Sequence, residues 1–165
     1  MRTSISLQRL RWLVLVLGLM LAVRQWVWMA SLITGESMEP TLRAAQVVGI
    51  NKLAYLFGKP RRGEIISVWT GSGLIVKRVI GLPGETIALR DGKFYINDTP
   101  LAEPYVKFQE PTTVAPGQIG PDCFVVAGDN RSQTVIAVVK RARIVGRVTG
   151  RRLHVESRQE AASRR

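Results

Sequence analysis

The chain has 165 residues and a hydrophobic share of 46%, which is enough for one folded domain with an appendage. Its 24 Lys and Arg residues exceed its 12 Asp and Glu residues, so the net charge is +12. This excess suits an anionic lipid surface, and we expect no nucleic-acid partner because no dense basic patch is interleaved with aromatic residues. The single cysteine, Cys123, lies beside apolar residues and is interpreted as a small core residue; it excludes an intrachain disulfide.

An apolar run, WLVLVLGLMLAVRQWVWMASLI, occupies residues 12–33 and is interrupted only by Arg24 and Gln25. A membrane span needs about 20 mainly apolar residues. The run therefore predicts a single transmembrane helix, with Arg24 displaced from its centre and Trp26 and Trp28 at the outer interface.

The arginines before this run (Arg2, Arg9 and Arg11) favour a cytoplasmic amino terminus in the inner membrane, with the rest of the chain on the outer side. The alternative is a cleavable signal peptide. Its best cleavage site, after Ala30, places Trp28 where a small residue is required, so we favour an uncleaved anchor.

Short apolar segments alternate with turn signals after the run, a pattern typical of β-strands. Predicted strands cover residues 46–50, 64–69, 74–80, 86–89, 93–96, 123–127, 134–139 and 144–149. Asp91 and Gly92 predict a two-residue hairpin turn, residues 52–57 one short helical turn, and residues 109–121 a long loop.

The predicted fold class is therefore mostly β, with one transmembrane helix followed by a curled or partly open antiparallel sheet. We divide the chain into a cytoplasmic stub and anchor (residues 1–33), a β domain (residues 34–150) and a polar carboxyl-terminal tail (residues 151–165).

The segment GESMEPTL, residues 35–42, places Ser37 directly after the apolar run. Serine is a weak nucleophile unless a base activates it. A nucleophile elbow would need glycine where Glu39 stands, and a Ser-x-x-Lys motif would need lysine where Pro40 stands. His154, the only histidine, lies near the polar tail and suits a solvated surface position. With one His and one Cys, no metal site is predicted, and no cofactor is implied.

Lysine remains as a candidate base, and Lys77 differs from the other lysines because the residues on its predicted strand face are apolar. In a strand over residues 74–80, Lys77 shares one face with Ile75 and Val79. Burial there would lower its pKa towards the range of a general base, and serine–lysine pairs are a known way of activating a hydroxyl. The alternative is an edge strand on which Lys77 points to water.

Four stretches in this order resemble the type I signal peptidases, membrane-anchored serine–lysine endopeptidases. They are GESMEPTL (residues 35–42), RRGEIISVW (61–69), LIVKRVIGLPGETI (74–87) and GDNRS (128–132). Between them, DGKFYINDTPLAEPYV (91–106) resembles the family's hairpin and the turn after it. The resemblance covers almost the whole chain.

The resemblance implies that Ser37 attacks the scissile carbonyl and that Lys77 takes its proton. Met38 would cover the lysine and exclude water. Family members often carry a hydroxyl two residues before the nucleophile, where this chain has Gly35, so the oxyanion hole would rely on the backbone N–H of Ser37 and on a further donor.

Around this pair, the resemblance implies that Arg78 binds Asp129, and that Asp129 and Arg131 support the scaffold; by themselves, both could belong to a simple turn. The chain departs from the family after GDNR, where several residues are missing. Thr134 stands at the matching serine position and could orient the Lys77 ammonium, whereas Ile136 replaces an aspartate.

The function implied is removal of signal peptides from exported preproteins at the outer surface of the membrane. The implied partners are the lipid bilayer and signal peptides with small residues at the first and third positions before the cut. Alternatives are a specialised relative that matures one pilin-like or conjugation-type precursor, and an anchored module that binds peptides without cutting them. A self-cleaving repressor would carry a DNA-binding domain where this chain has its apolar run.

Overall fold

The computed structural model describes residues 7–107 and 110–154; the side chains of residues 22–26 and 150–154 lie outside this description. Within it, one helix is followed by eleven strands and two short 3₁₀ turns. The helix is α1 (Leu7–Val27), and the 3₁₀ turns are Arg131–Gln133 and Arg141–Arg143. The strands are β1 (Trp28–Leu32), β2 (Gln46–Asn51), β3 (Ile65–Thr70), β4 (Gly73–Gly81), β5 (Thr86–Arg90), β6 (Lys93–Ile96), β7 (Thr99–Pro100), β8 (Val114–Gln118), β9 (Cys123–Ala127), β10 (Ala137–Lys140) and β11 (Ile144–His154).

The strands form two antiparallel sheets. The larger has seven strands in the order β1-β2-β11-β3-β4-β9-β10, and the smaller has four in the order β7-β6-β5-β8. Residues of β1 and β4 line one cleft although three strands separate them in the sheet order, so the larger sheet is curled. The mostly β, antiparallel character predicted from the sequence is confirmed.

Apolar residues on both faces of the larger sheet form the core. One face carries a cluster that includes Ile66, Val79 and Phe124, all of them almost fully buried. The other face packs against the segment after β1, through Ile33, Met38, Leu42 and Val48. A third cluster (Ile80, Leu89, Phe94 and Ala127) joins the two sheets. Burial of a Val, Leu, Ile, Phe or Met side chain contributes about 1.5–3 kcal/mol relative to exposure, so the loop that carries Met38 is held by core packing.

The end of the predicted membrane span is wrong in detail. Residues 28–32, interpreted as helix, form β1, which pairs with β2 from Trp28↔Asn51 to Leu32↔Val47. Among the helices of the described residues, none combines the length and apolar character needed to cross a membrane. In a continuous apolar run, the spacing of apolar residues does not distinguish a helix from a buried strand. Here residues 28–32 form a strand because they pair with β2. The Trp28 ring packs beside Gly49 of that strand.

Three smaller predictions also need correction. Residues 109–121 contain β8, which pairs with β5. Residues 52–57 form turns and no helix. Strand β10 begins at Ala137, so Thr134 and Ile136 lie before it. The hairpin at Asp91 and Gly92 is confirmed, with φ angles of 48° and 73°.

Candidate active site

Lys77 lies on β4, which is an inner strand of the larger sheet between β3 and β9. The residue lies opposite Ile66 of β3, and its side chain is only 9% exposed. A charged ammonium is unfavourable at this position, because burial disfavours the charged form. Accordingly, burial lowers the pKa of Lys77 from its ordinary value, while the Asp129 carboxylate acts in the opposite direction.

Ser37 is positioned by a tight turn after the apolar segment. The backbone N–H of Glu39 donates to the carbonyl of Glu36 at 3.0 Å, and that of Leu42 to Met38 at 2.9 Å. Met38 is 1% exposed and fixes this turn in the core. The buried methionine thus holds the preceding serine at the rim of the cleft.

The two predicted side chains meet. Lys77 Nζ lies 2.7 Å from Ser37 Oγ and 2.8 Å from Thr134 Oγ1. Thr134 Oγ1 also accepts a hydrogen bond from the backbone N–H of Gly128 at 2.9 Å. The Gly128 contact fixes the hydroxyl, so the amine is oriented between two oxygens. Ile136 is 37% exposed and provides no acid near this pair.

The segment after β9 also holds the backbone of the serine. The N–H of Asn130 donates to the Ser37 carbonyl at 3.1 Å. A Cβ on Gly128 would lie 2.7 Å from Thr134 Oγ1 and would collide with the Ser37 carbonyl group. This close approach requires glycine, a role that the GDNRS motif alone did not reveal.

Arg78 and Asp129 form a buried ion pair behind the lysine. Arg78 Nε donates to Asp129 Oδ1 at 2.8 Å, and Arg78 Nη1 donates to the Gly63 carbonyl at 2.7 Å. Asp129 is fully buried and also accepts from Thr41. Each polar atom of the pair is therefore matched, as a buried charge requires.

Arg131 connects this region to a second ion pair that sequence reasoning missed. Its Nε donates to the Gly128 carbonyl at 2.8 Å, and its guanidinium binds the Glu103 carboxylate. The Tyr105 hydroxyl donates to the same carboxylate at 2.9 Å, while its ring lies 4.0 Å from the Arg78 guanidinium carbon. Glu103 and Tyr105 belong to the EPYV sequence, which resembles the family, but nothing in that sequence indicated that Glu103 would bind Arg131.

A cleft of about 150 Å³ runs past the serine, lined by residues 31–35, Ser37, Met38 and residues 74–77. It lies between β1, an edge strand, and the first half of β4. Strand β9 pairs with β4 only from Arg78 onward, so β4 has an open edge beside the cleft. An added Cβ at Gly35 would meet no atom within 4 Å.

A serine hydroxyl beside a buried lysine amine, at the rim of a cleft, is the arrangement of serine–lysine hydrolases. The family model described as "Signal peptidase, peptidase S26" matches residues 6–152. The chain therefore belongs to the signal peptidase family, peptidase S26, a family of serine endopeptidases that remove signal peptides.

Two relatives that are named signal peptidases support this membership. The chain is 36% identical over 147 residues to a signal peptidase I of Leptolyngbya laminosa, covering 81% of this chain and 72% of the relative. It is 33% identical over 162 residues to signal peptidase I T of Bacillus subtilis, covering 88% and 84%. The crystal structure of a signal peptidase I from Enterococcus faecalis is 30% identical, with a TM-score of 0.48 over 55% of this chain and 97% of that one.

Proposed function

We propose that Ser37 is the nucleophile and Lys77 the general base of this signal peptidase. The observation that carries the proposal is the 2.7 Å distance between Lys77 Nζ and Ser37 Oγ in a site where the lysine is 9% exposed. A neutral amine there has one lone pair for the serine proton, and one of its own hydrogens can bond to Thr134.

Each proton in the proposed reaction passes through the same amine. Ser37 Oγ attacks the scissile carbonyl carbon as Lys77 accepts the hydroxyl proton. Lys77 then donates this proton to the leaving amide nitrogen, so the C–N bond breaks and an acyl-enzyme remains on Ser37. A water molecule attacks the ester while Lys77 accepts its proton, and that proton returns to Ser37 Oγ as the ester bond breaks.

The developing oxyanion needs a donor at the same place. Among the described residues, the backbone N–H of Ser37 has no hydrogen-bond acceptor. It is therefore available to the oxyanion. Gly35 supplies no side-chain donor, so any second hydrogen bond to the oxyanion would come from another backbone N–H or from water.

The substrate would bind as an extended strand between the open edges of β1 and β4. Main-chain hydrogen bonds give affinity in such strand addition, and alternate side chains give selectivity. The cleft volume of about 150 Å³ is below the roughly 300–1,000 Å³ of a pocket for a drug-sized ligand. Its walls, including Ile33, Met38 and Val76, would select small residues at the first and third positions before the cut.

We further propose that the amino-terminal segment attaches this enzyme to the inner membrane as a single-pass anchor. Its amino terminus would be cytoplasmic and its catalytic domain would lie on the outer side. Support comes from helix α1, which has leucine and valine side chains exposed around it between Leu7 and Leu21, and from Arg2, Arg9 and Arg11 towards the amino terminus. Resistance to carbonate extraction, with protease sensitivity of the catalytic domain only from the outer side, would be the expected result.

The catalytic proposal is tested with the full chain in detergent and a preprotein that carries an Ala-x-Ala site. We expect Ser37→Ala, Lys77→Ala and Lys77→Arg each to reduce cleavage to background, since a guanidinium does not lose its proton near neutral pH. Ser72→Ala and Lys93→Met, at exposed positions, are the matched controls and should cleave normally. Normal cleavage by Ser37→Ala would refute the proposal. A panel of unrelated preproteins separates a general enzyme from a dedicated one.

A further inference from the structure

A buried ion pair connects the smaller sheet to the GDNRS segment, residues 128–132. Glu103 lies in the loop after β7, and its side chain is 8% exposed; the side chain of Arg131, which it binds, is 6% exposed. Among the described residues, Glu103 supplies the only carboxylate that pairs with Arg131. A guanidinium buried this deeply depends on its partner, because an unpaired buried charge is strongly unfavourable.

The smaller sheet and the loop after it hold both ends of this pair. The Arg131 guanidinium lies over the Phe94 ring of β6, 4.8 Å from its centroid. The Tyr105 hydroxyl donates to the Glu103 carboxylate at 2.9 Å, and the backbone N–H of Leu101 donates to the Phe94 carbonyl at 2.8 Å. The loop and the strand therefore fix where the guanidinium lies.

From Arg131, a series of hydrogen bonds leads to the candidate base. Arg131 Nε donates to the Gly128 carbonyl at 2.8 Å, and the Gly128 N–H donates to Thr134 Oγ1 at 2.9 Å. Thr134 Oγ1 in turn accepts from Lys77 Nζ at 2.8 Å. Because Gly128 also packs directly against the Ser37 carbonyl, a displacement of Arg131 would be passed on to both side chains of the candidate pair.

We propose that Glu103 is a positioning residue of the reaction, which acts on the Lys77 amine through Arg131. By fixing the guanidinium, it holds the Gly128 backbone and with it the Thr134 hydroxyl in place. Glu103 does not line the cleft beside Ser37, so its effect is on the geometry of the reacting groups and not on substrate contact. This inference rests on the proposed catalytic function.

The first measurement separates rate from substrate binding. Glu103→Gln keeps the shape of the side chain but leaves the Arg131 charge without its counter-ion. With the full chain in detergent and a signal-peptide substrate, we expect kcat to fall about tenfold or more, since misplacing reacting groups by about 1 Å can cost about 100-fold. KM should stay at the wild-type value, because the cleft is unchanged. Wild-type kcat in Glu103→Gln would overturn the proposal.

Glu85→Gln is the matched control. Glu85 also forms a partly buried ion pair, with Arg62, and the two side chains are 18% and 28% exposed. The other side-chain hydrogen bonds of this pair go to the backbone of Ile80 and Leu82. The control should therefore lower Tm, as Glu103→Gln does, but should keep the wild-type kcat. An equal fall of kcat in both variants would mean a general loss of stability and would contradict a positioning role.

A double variant distinguishes positioning from stability in a second way. Glu103→Gln combined with Arg131→Met leaves no unpaired buried charge, so Tm should recover relative to Glu103→Gln alone. The value of kcat should stay low, because the Gly128 carbonyl still lacks its donor. Recovery of kcat together with Tm would show that the ion pair acts on stability alone.

The route through the hydroxyl is tested by combining Glu103→Gln with Thr134→Val. Since both substitutions act on the same hydroxyl, Glu103→Gln should lower kcat much less in the Thr134→Val background than in the wild type. Equal fold-reductions in the two backgrounds would refute this route.

Ser37→Ala, measured alongside, defines background cleavage. A wild type no faster than Ser37→Ala would count against the catalytic proposal and against the inference that rests on it. An inactive Ser37→Ala together with a fully active Glu103→Gln would count against Glu103 alone.

Discussion

Replacing Gly128 by alanine adds one methyl group at the closest contact between the GDNRS segment and the candidate nucleophile. The new Cβ would lie 2.7 Å from Thr134 Oγ1 and 2.9 Å from the Ser37 carbonyl carbon, where real Cβ atoms do not approach within 3.0 Å. The two atoms belong to the residues that hold Lys77 from either side. The collision therefore displaces the catalytic geometry itself.

The size of the expected effect on rate follows from the displacement that the added methyl group requires. Because the obstruction is backbone, relief requires a shift on the order of 1 Å, and a misplacement of that size can cost about 100-fold in rate. This corresponds to about 2.7 kcal/mol in the activation barrier. Overpacking of a filled core costs about 1–3 kcal/mol, which lowers Tm by roughly 2–4 °C per kcal/mol for a chain of this length.

The assay is kcat/KM on a signal-peptide substrate in detergent, with Tm measured on the same preparation. Gly117→Ala is the matched control, because a Cβ there meets no atom within 4 Å; it should retain both values. Wild-type kcat/KM and Tm in Gly128→Ala would refute the close approach of Gly128 to Ser37 in the active enzyme.

Three further outcomes are expected. Since burial lowers the pKa of Lys77, kcat/KM should rise with pH as the amine loses its proton. Between the lowered pKa and about 10.4, the unfolded chain binds more protons than the folded one, so the free energy of unfolding should rise with pH in the wild type relative to Lys77→Met. The same dependence of unfolding free energy on pH in both proteins would contradict this. Thr134→Val should reduce kcat about tenfold to a hundredfold, because a hydrogen bond to a charged group contributes about 1.5–3 kcal/mol. Thr134→Ser keeps the hydroxyl and should retain activity. Equal kcat values for the two variants would show that the Thr134 hydroxyl does not orient Lys77. Gly35→Ser should leave Tm unchanged, as space is open there, and should raise kcat by adding an oxyanion donor; a fall in kcat would count against that placement.

The strands that could be predicted are those whose side chains alternate in a half-buried sheet. Strand β2 is an example, because buried and partly buried residues alternate from Gln46 to Asn51. The hairpin at Asp91 and Gly92 could also be predicted, because its positive φ angles favour those residue types. Strand β8 could not be predicted in this way. All its residues are exposed, and among the strands that the structure describes it pairs with β5 alone.

The candidate site divides along the same line. Ser37 and Lys77 were indicated by motif order and by one lysine on an apolar strand face, because a candidate nucleophile and a candidate base can be recognised from residue type. The close approach of Gly128 to Ser37 and the ion pair between Glu103 and Arg131 were not predicted, because the residues adjacent to each in the chain do not indicate which distant residue it contacts.

Motif order and short periodic patterns along the chain were sufficient for the family, for a mostly β fold class and for a serine and a lysine suited to the chemistry. Three features depended on folding. Residues 28–32 leave the apolar run as a strand, β1 and β4 line one cleft, and Lys77 Nζ comes within 2.7 Å of Ser37 Oγ. Pairing and burial arise between segments that are distant in the chain, so an apolar residue can be stable in a helix, a strand or a bilayer until its neighbours are fixed.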